Sequence, residues 1–226
     1  MSLAGAVQFL CRTVLIGPVL RVVGRPEIVG REHVPRRGAV ILAANHLAAI
    51  DSLHLALAAR RCVHFLAKDE YFESRGARGR MVRWFMAATG QIPVDRAGGD
   101  SARQAVRAAV EILRRDGVWG IHPEGTRSPD GAMYRGRTGT VRVALATGAP
   151  LIPVAITATA PSRGLRGRER VRVEFLPPLD LRGVDADAVG IRAATDALMD
   201  AIAARTGQRR VDDYARRWRR PDESAA

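Results

Sequence analysis

Lysine is almost missing from this chain. Of its 36 lysine and arginine residues only Lys68 is a lysine. The basic side chains are therefore nearly all planar guanidiniums, suited to bidentate contacts with phosphate and carboxylate. Cysteine is scarce too: Cys11 and Cys62 are the two present, and no CxxC pair occurs. That excludes a disulfide framework and a thiol-rich zinc site, and it fits a reducing compartment. Aromatic residues make up 5% of the chain, and no nucleic-acid reading motif accompanies them. Nucleic acid is not expected as a partner, because such modules stack bases on aromatics or carry a recognisable fold signature. Internal repeats and low-complexity blocks are also lacking.

The 226 residues, 47% of them hydrophobic, suffice for one substantial core. A net charge of +13 asks for an anionic partner, either the surface of an anionic membrane or a small phosphorylated substrate. The opening stretch Leu3–Val23 is strongly apolar but is broken by Gln8, Arg12, Pro18 and Arg21. It makes a poor bilayer span, and it lacks the basic leading region of a secretory signal. Gln8 and Arg12 share a helical face, with Leu3, Val7, Leu10, Val14 and Leu15 around the rest. Residues 1–24 are expected to form an apolar helix lying in a membrane interface. The alternative is a helix packed on the domain's own core, which periodicity does not separate from the first. A domain is expected over residues 25–208. A basic polar tail is expected over 209–226, where arginines cluster around Trp218.

Short apolar runs at Glu27–Gly30, Ala39–Ala44, Cys62–Ala67, Gln91–Val94, Val118–His122, Leu151–Ile156 and Val171–Phe175 read as strands. Helical patterns lie between them at Ser52–Arg60, Tyr71–Ala88, Ala102–Arg115, Thr140–Thr147 and Ala188–Arg205. The clearest has apolar residues at Ala102, Ala105, Val106, Ala109, Val110 and Leu113, a capping box at Ser101-x-x-Gln104 and a stop at Gly117. This alternation implies a single α/β domain, with a mostly parallel or mixed sheet of about seven strands flanked by helices. Pro161–Arg170 reads as an exposed basic loop.

Three constellations carry chemistry. Asn45-His46 follows the strand Ala39–Ala44, and Asp51 comes five residues after His46. Within one regular helix five residues rotate the chain by roughly 140°, so the pair meets only if His46 precedes the helix and Asp51 lies in its first turns. The carboxylate would then fix the imidazole tautomer and stabilise its cation. Such a base suits an alcohol nucleophile. No GxSxG elbow or reactive-looking cysteine offers a covalent alternative. The spacing alone is also what a satisfied histidine at a helix start would show. The second constellation, His122-Pro123-Glu124-Gly125-Thr126-Arg127-Ser128, follows a strand and gathers backbone N–H groups, a hydroxyl and a guanidinium in a tight turn, sound chemistry for a phosphate. Gly90 to Arg96 forms the third, ending in Asp95-Arg96 before a helix start. Lys68, after the strand Cys62–Ala67, stands out as the lone ammonium.

Together these pieces resemble the glycerolipid (lysophospholipid) acyltransferase family. Asn45-His46 through Asp51 matches its N-H-x4-D block, and Gly90 through Arg96 its second block. Pro123 through Ser128 matches the third almost letter for letter. Pro150-Leu151-Ile152-Pro153-Val154 matches the fourth. Order and spacing agree from about Ala39 to Ile156. The resemblance implies transfer of a fatty acyl group from acyl-CoA or acyl-carrier protein, as co-substrate, to a hydroxyl of a lysophospholipid or glycerol-phosphate acceptor. No bound cofactor or metal is implied. It assigns His46 as base and Asp51 as its partner. Arg96, Glu124, Gly125, Thr126, Arg127 and Lys68 would bind the phosphorylated acceptor. Attachment is expected to be peripheral or monotopic, on the cytoplasmic face of the cell membrane. Two departures stand out: His122 replaces the usual aromatic such as Phe, and Pro93-Val94 a bulkier apolar pair.

Other readings of the same residues are a non-catalytic basic peripheral-membrane protein, which leaves the motifs as coincidence, and a thioesterase in which His46 activates water. A metal site at His46, Asp51 and His54 matches no familiar zinc or iron spacing.

Overall fold

The computed structural model describes residues 3–68, 76–88, 91–94, 101–158 and 170–216, and the strand Val40–Ala44 is its centre. All five residues of that strand are fully buried. Val40, Leu42 and Ala44 enter one core and Ile41 and Ala43 the other. This is the period-two alternation of a parallel strand covered on both faces.

In chain order the described strands are β1 (Glu27–Val29), β2 (Val40–Ala44), β3 (Val63–Lys68), β4 (Ile92–Val94), β5 (Val118–Ile121), β6 (Leu151–Thr157) and β7 (Arg172–Phe175). The helices are α1 (Leu3–Leu10), α2 (Ile16–Gly24), α3 (Asp51–Ala59), α4 (Gly76–Ala88), α5 (Ser101–Arg114), α6 (Gly139–Thr147) and α7 (Ala188–Thr206). The sheet order is β1-β7-β6-β2-β5-β3-β4. Every pair is parallel except β6–β7. β4 joins only the outer half of β3, Leu66–Lys68, whereas Val63–Phe65 pair with β5. Residues of α5, α6 and α7 fill the core beneath Ile41 and Ala43; α3 covers the opposite face. The expected mostly parallel α/β sheet with flanking helices is what the chain forms. β2 lies between β5 and β6, so the loops leaving the carboxyl ends of these three strands converge, where α/β sheets build their sites.

Element limits differ from the sequence reading by a residue or so, with three exceptions. The helix expected from Tyr71 is described from Gly76; residues 71–75 lie outside the described residues, as does the loop at 161–169. Ser101 is the first helical residue rather than the cap before it. The opening segment is not one continuous helix, because a π-helical turn, Cys11–Leu15, separates α1 from α2. Pro18 explains the break: it has no N–H to give to the preceding turn, and it fits only near a helix start.

The N-terminal segment is partly buried and partly exposed. Cys11 and Leu20 are buried, while Phe9, Leu10, Val14, Val19 and Val22 are exposed. Its anchor is Gln8, whose Nε2 donates to Val63 O at 2.7 Å while its Oε1 accepts from Val63 N at 2.9 Å. The carboxamide thus serves as one residue of an added strand, on the length of β3 that β4 does not reach.

The first residues of the expected tail are bonded to the domain. Met133 N donates to Arg209 O, Val211 N to Met133 O and Arg135 N to Asp213 O, at 2.8 to 2.9 Å. The chain around 209–213 is thereby tied to the domain at the buried Met133. Basic composition had suggested a solvated end, but the backbone bonding at Met133 decides otherwise. Residues 217–226, with Trp218, lie outside the described residues.

Gln8→Ala is expected to leave the buried Val63 N–H and C=O without these partners, at a cost of about 1–3 kcal/mol. Limited proteolysis should then cut within residues 3–24 sooner than in the wild type, with the 25–216 core still protected.

Candidate active site

β2 ends at Ala44, and His46 sits in the turn that follows. Asp51 is the first residue of α3, where the positive helix end favours a carboxylate. The two side chains meet as the spacing argument required: His46 Nδ1 lies 3.0 Å from Asp51 Oδ2. That same oxygen accepts from Leu47 N and Ala48 N, each at 2.7 Å. A carboxylate oxygen only accepts, so His46 Nδ1 carries the hydrogen and Nε2 is left with its lone pair. The Asp51 side chain is 1% accessible and that of His46 17%. The acid is sealed and the imidazole is reachable.

The turn after β5 grips His46 by its backbone. Glu124 Oε1 accepts from His46 N at 3.0 Å, and Ser128 N donates to His46 O at 2.8 Å. The other oxygen of Glu124 accepts from Tyr134 N at 3.2 Å, and the residue is fully buried. With both oxygens engaged and no exposure, its carboxylate holds the loops together. Burial pushes its carboxyl up to about 7, although the two N–H bonds pull the other way.

Gly125 takes φ +78°, and an added Cβ would lie 2.8 Å from Arg137 Nε. The backbone conformation demands glycine there, and an added Cβ would also displace the Arg137 side chain. Thr126 and Arg127 continue the turn, half-buried. Lys68 closes β3 in register with Val94, at the carboxyl end of the sheet; its side chain lies outside the described residues, as does the whole of Arg96.

Sequence reasoning overlooked several contributors. Asn45 is fully buried. Its Nδ2 donates to Ile156 O and Gln208 Oε1, and its Oδ1 accepts from Ile156 N, at 2.8 to 2.9 Å. The side chain clamps the end of β2 to β6, as an added strand residue would. Arg137, over Gly125, faces the ring of Tyr214 at 5.2 Å. His122 stacks on His46 with ring centroids 3.9 Å apart. In the sequence it stood out as the first residue of the turn motif and by its departure from the family pattern, with no role attached.

A hydroxyl placed at His46 Nε2 could be deprotonated as it attacks. A thiol route has no support, since burial pushes Cys62 up to about 11 and also raises Cys11. Among the described residues, no group of three His, Cys, Asp or Glu side chains is arranged to hold a metal ion.

The Glu124 carboxyl sets a pH dependence. Its folded pKa lies above the ordinary glutamate value, so between about 4.5 and about 7 the folded chain holds a proton that the unfolded chain has lost. Its contribution to stability therefore falls as pH rises through that window. Thermal unfolding of wild type and Glu124→Gln across pH 5 to 8 should show wild type losing ground to the uncharged variant as pH rises.

Comparison with known proteins places this geometry. A family model described as Acyltransferase matches residues 25–157. The chain is 31% identical over 129 residues to the 1-acyl-sn-glycerol-3-phosphate acyltransferase of Borreliella burgdorferi, covering 57% of this chain and 50% of that protein. To 1-acyl-sn-glycerol-3-phosphate acyltransferase alpha of Mus musculus it is 29% identical over 173 residues, covering 73% and 58%. The chain thus spans about half the length of the curated relatives it matches. The crystal structure of the 1-acyl-sn-glycerophosphate (LPA) acyltransferase PlsC from Thermotoga maritima shares its fold, with TM-score 0.63 and 23% identity, over 87% of this chain and 82% of that one. A match that takes in His46, Asp51 and the whole of the turn clamping them establishes that the chain belongs to the acyltransferase family.

Proposed function

We propose that this protein transfers a fatty acyl group from acyl-CoA or acyl-carrier protein to the free hydroxyl of 1-acyl-glycerol-3-phosphate, giving phosphatidic acid. The observation that carries the reading is the arrangement at Asp51 Oδ2, which bonds His46 Nδ1 and, in the neutral imidazole, directs the Nε2 lone pair away from the acid. In the reaction His46 Nε2 takes the acceptor's hydroxyl proton as the oxygen attacks the thioester carbonyl. Asp51 stabilises the resulting imidazolium. The tetrahedral intermediate then collapses, the C–S bond breaks, and the imidazolium returns its proton to the departing thiolate. The site needs no acyl-enzyme.

Arg127 and the backbone of the turn at Gly125 and Thr126 are assigned to the acceptor phosphate, with Arg96 and Lys68 as further cations. Glu124 acts indirectly, by fixing the loop. The fourth block lies on β6, against the end of β2, in keeping with a part in shaping the acyl-binding region. Glycerol-3-phosphate or another lysolipid would present the same hydroxyl-and-phosphate chemistry.

The enzyme would work at the surface of an anionic membrane, on its cytoplasmic face. No described helix is long and apolar enough to cross a bilayer, whereas α1, the π-helical turn and α2 expose Phe9, Leu10, Val14, Val19 and Val22. On α4, which touches α1, Met81 and Trp84 are exposed beside the exposed Arg80 and Arg83. Apolar residues that enter the interface beside cations that attract its lipids make a monotopic attachment.

Purified protein with labelled acyl-CoA and 1-acyl-glycerol-3-phosphate should form phosphatidic acid, and His46→Ala or Asp51→Asn should lower kcat by about 10²–10⁴-fold. Folded His46→Ala turning over at the wild-type rate would overturn the base assignment. Release of free fatty acid at one rate with or without the acceptor would identify a thioesterase instead. Arg127→Ala should raise the KM of phosphate-bearing acceptors about tenfold or more while sparing the donor's KM. Sedimentation with vesicles should show binding that grows with anionic lipid content and weakens in Val19→Asp/Val22→Asp protein.

A further inference from the structure

His122 follows β5, and the proposed reaction makes no use of it. Its ring lies flat on that of His46, with planes within 8° of parallel. Both of its nitrogens are engaged. Nδ1 faces the carbonyl oxygens of Ala44 and Asn45 at 3.1 and 3.0 Å, and Nε2 lies 3.0 Å from Ser52 Oγ. Carbonyls only accept, so Nδ1 carries the hydrogen and Nε2 accepts from the Ser52 hydroxyl. Behind it lies Phe65, with ring centroids 6.1 Å apart. Phe65 occupies space that Gly120 leaves open, since a Cβ there would come within 2.5 Å of the ring.

What matters is where these contacts land. Ala44 and Asn45 lead the chain into His46. Ser52 is the second residue of the helix that Asp51 begins. The base and its carboxylate thus come from two different elements, and one imidazole touches both while covering the face of the base. We infer that His122 is a positioning residue that braces the His46–Asp51 pair, tying the end of β2 to the start of α3 and fixing the plane of the His46 ring. The inference rests on the proposed base role of His46.

A ring of this kind must also stay neutral. When His46 takes the acceptor's proton, a second imidazolium stacked on it would repel the new charge. Burial above all, and then His46 beside it, lower the His122 pKa to about 3, against smaller opposing contributions from Asp51 and the Ala44 and Asn45 carbonyls. The ring therefore remains uncharged while His46 cycles. Phenylalanine would keep the stacked ring but lose all three hydrogen bonds, so the substitution separates bracing from filling space.

The test uses full-length His122→Phe and Ser52→Ala, the latter removing only the donor to Nε2. Two quantities are measured: steady-state acyl transfer, and the proton resonance of the His46 Nδ1–H that bonds Asp51, identified by its loss in His46→Ala. In folded His122→Phe, kcat should fall about ten- to a hundredfold with little change in either KM, as a small misplacement of a reacting group produces, and the resonance should shift or broaden. Ser52→Ala should move both in the same direction by less. A folded His122→Phe protein with wild-type kcat, or with an unchanged resonance, overturns the brace. If wild-type protein transfers no acyl group to any acceptor, the functional reading fails, and the resonance still decides whether His122 holds the pair.

Discussion

A single carboxylate oxygen organises the site. Asp51 Oδ2 receives three N–H groups, from the His46 ring and from the backbone of Leu47 and Ala48, so it determines the shape of the turn as well as the tautomer of the base. An oxygen so engaged has little freedom left, and the turn around it has only one way to close. The remaining constraints act on the same few residues. Glu124 and Ser128 take the N–H and C=O of His46, and Asn45 pins the preceding residue to β6. The imidazole is therefore oriented from its ring, its backbone and its neighbour in sequence. The proposed role as base would call for such preorganisation, with little motion left for the moment of reaction.

The sheet makes this possible. β2, at its centre, is flanked by β5 and β6, and all three run in parallel. Their carboxyl ends consequently deliver His46, the Glu124 turn and the Asn45 partner to one edge. Fully buried backbone at the end of a strand needs partners, and here side chains supply them: Asn45 for Ile156, Glu124 for His46 and Tyr134. The polar groups of the site also carry the folding load at the top of the sheet. That dual role is why a fully buried glutamate is tolerated, although its burial disfavours the ion.

Much of this was legible in the sequence. Period-two and helical patterns located the strands and helices, because each buries a face whose periodicity is local. The His46–Asp51 contact followed from helix geometry once a turn was placed between them. The structural part of Glu124 was not legible for a physical reason: a carboxylate in a turn with Pro, Gly and Arg looks like part of an anion site. Only the fold reveals that both its oxygens are spent on backbone N–H groups 10 and 78 residues away. Asn45 and Gln208 are likewise joined across 163 residues, a separation that leaves no periodic trace. The C-terminal segment was missed because its pairing with Met133 uses backbone groups, to which composition is blind.

The Gln8 carboxamide has a consequence beyond anchoring the first helices. Where β4 stops short, the open edge of β3 would offer bare N–H and C=O groups, a template on which a second chain could add a strand. Gln8 occupies that position with the two groups a peptide would have used. The segment that exposes apolar residues therefore also covers this edge of the sheet. Exposed apolar surface and the cover over an open strand edge are thus carried by one segment, residues 3–24.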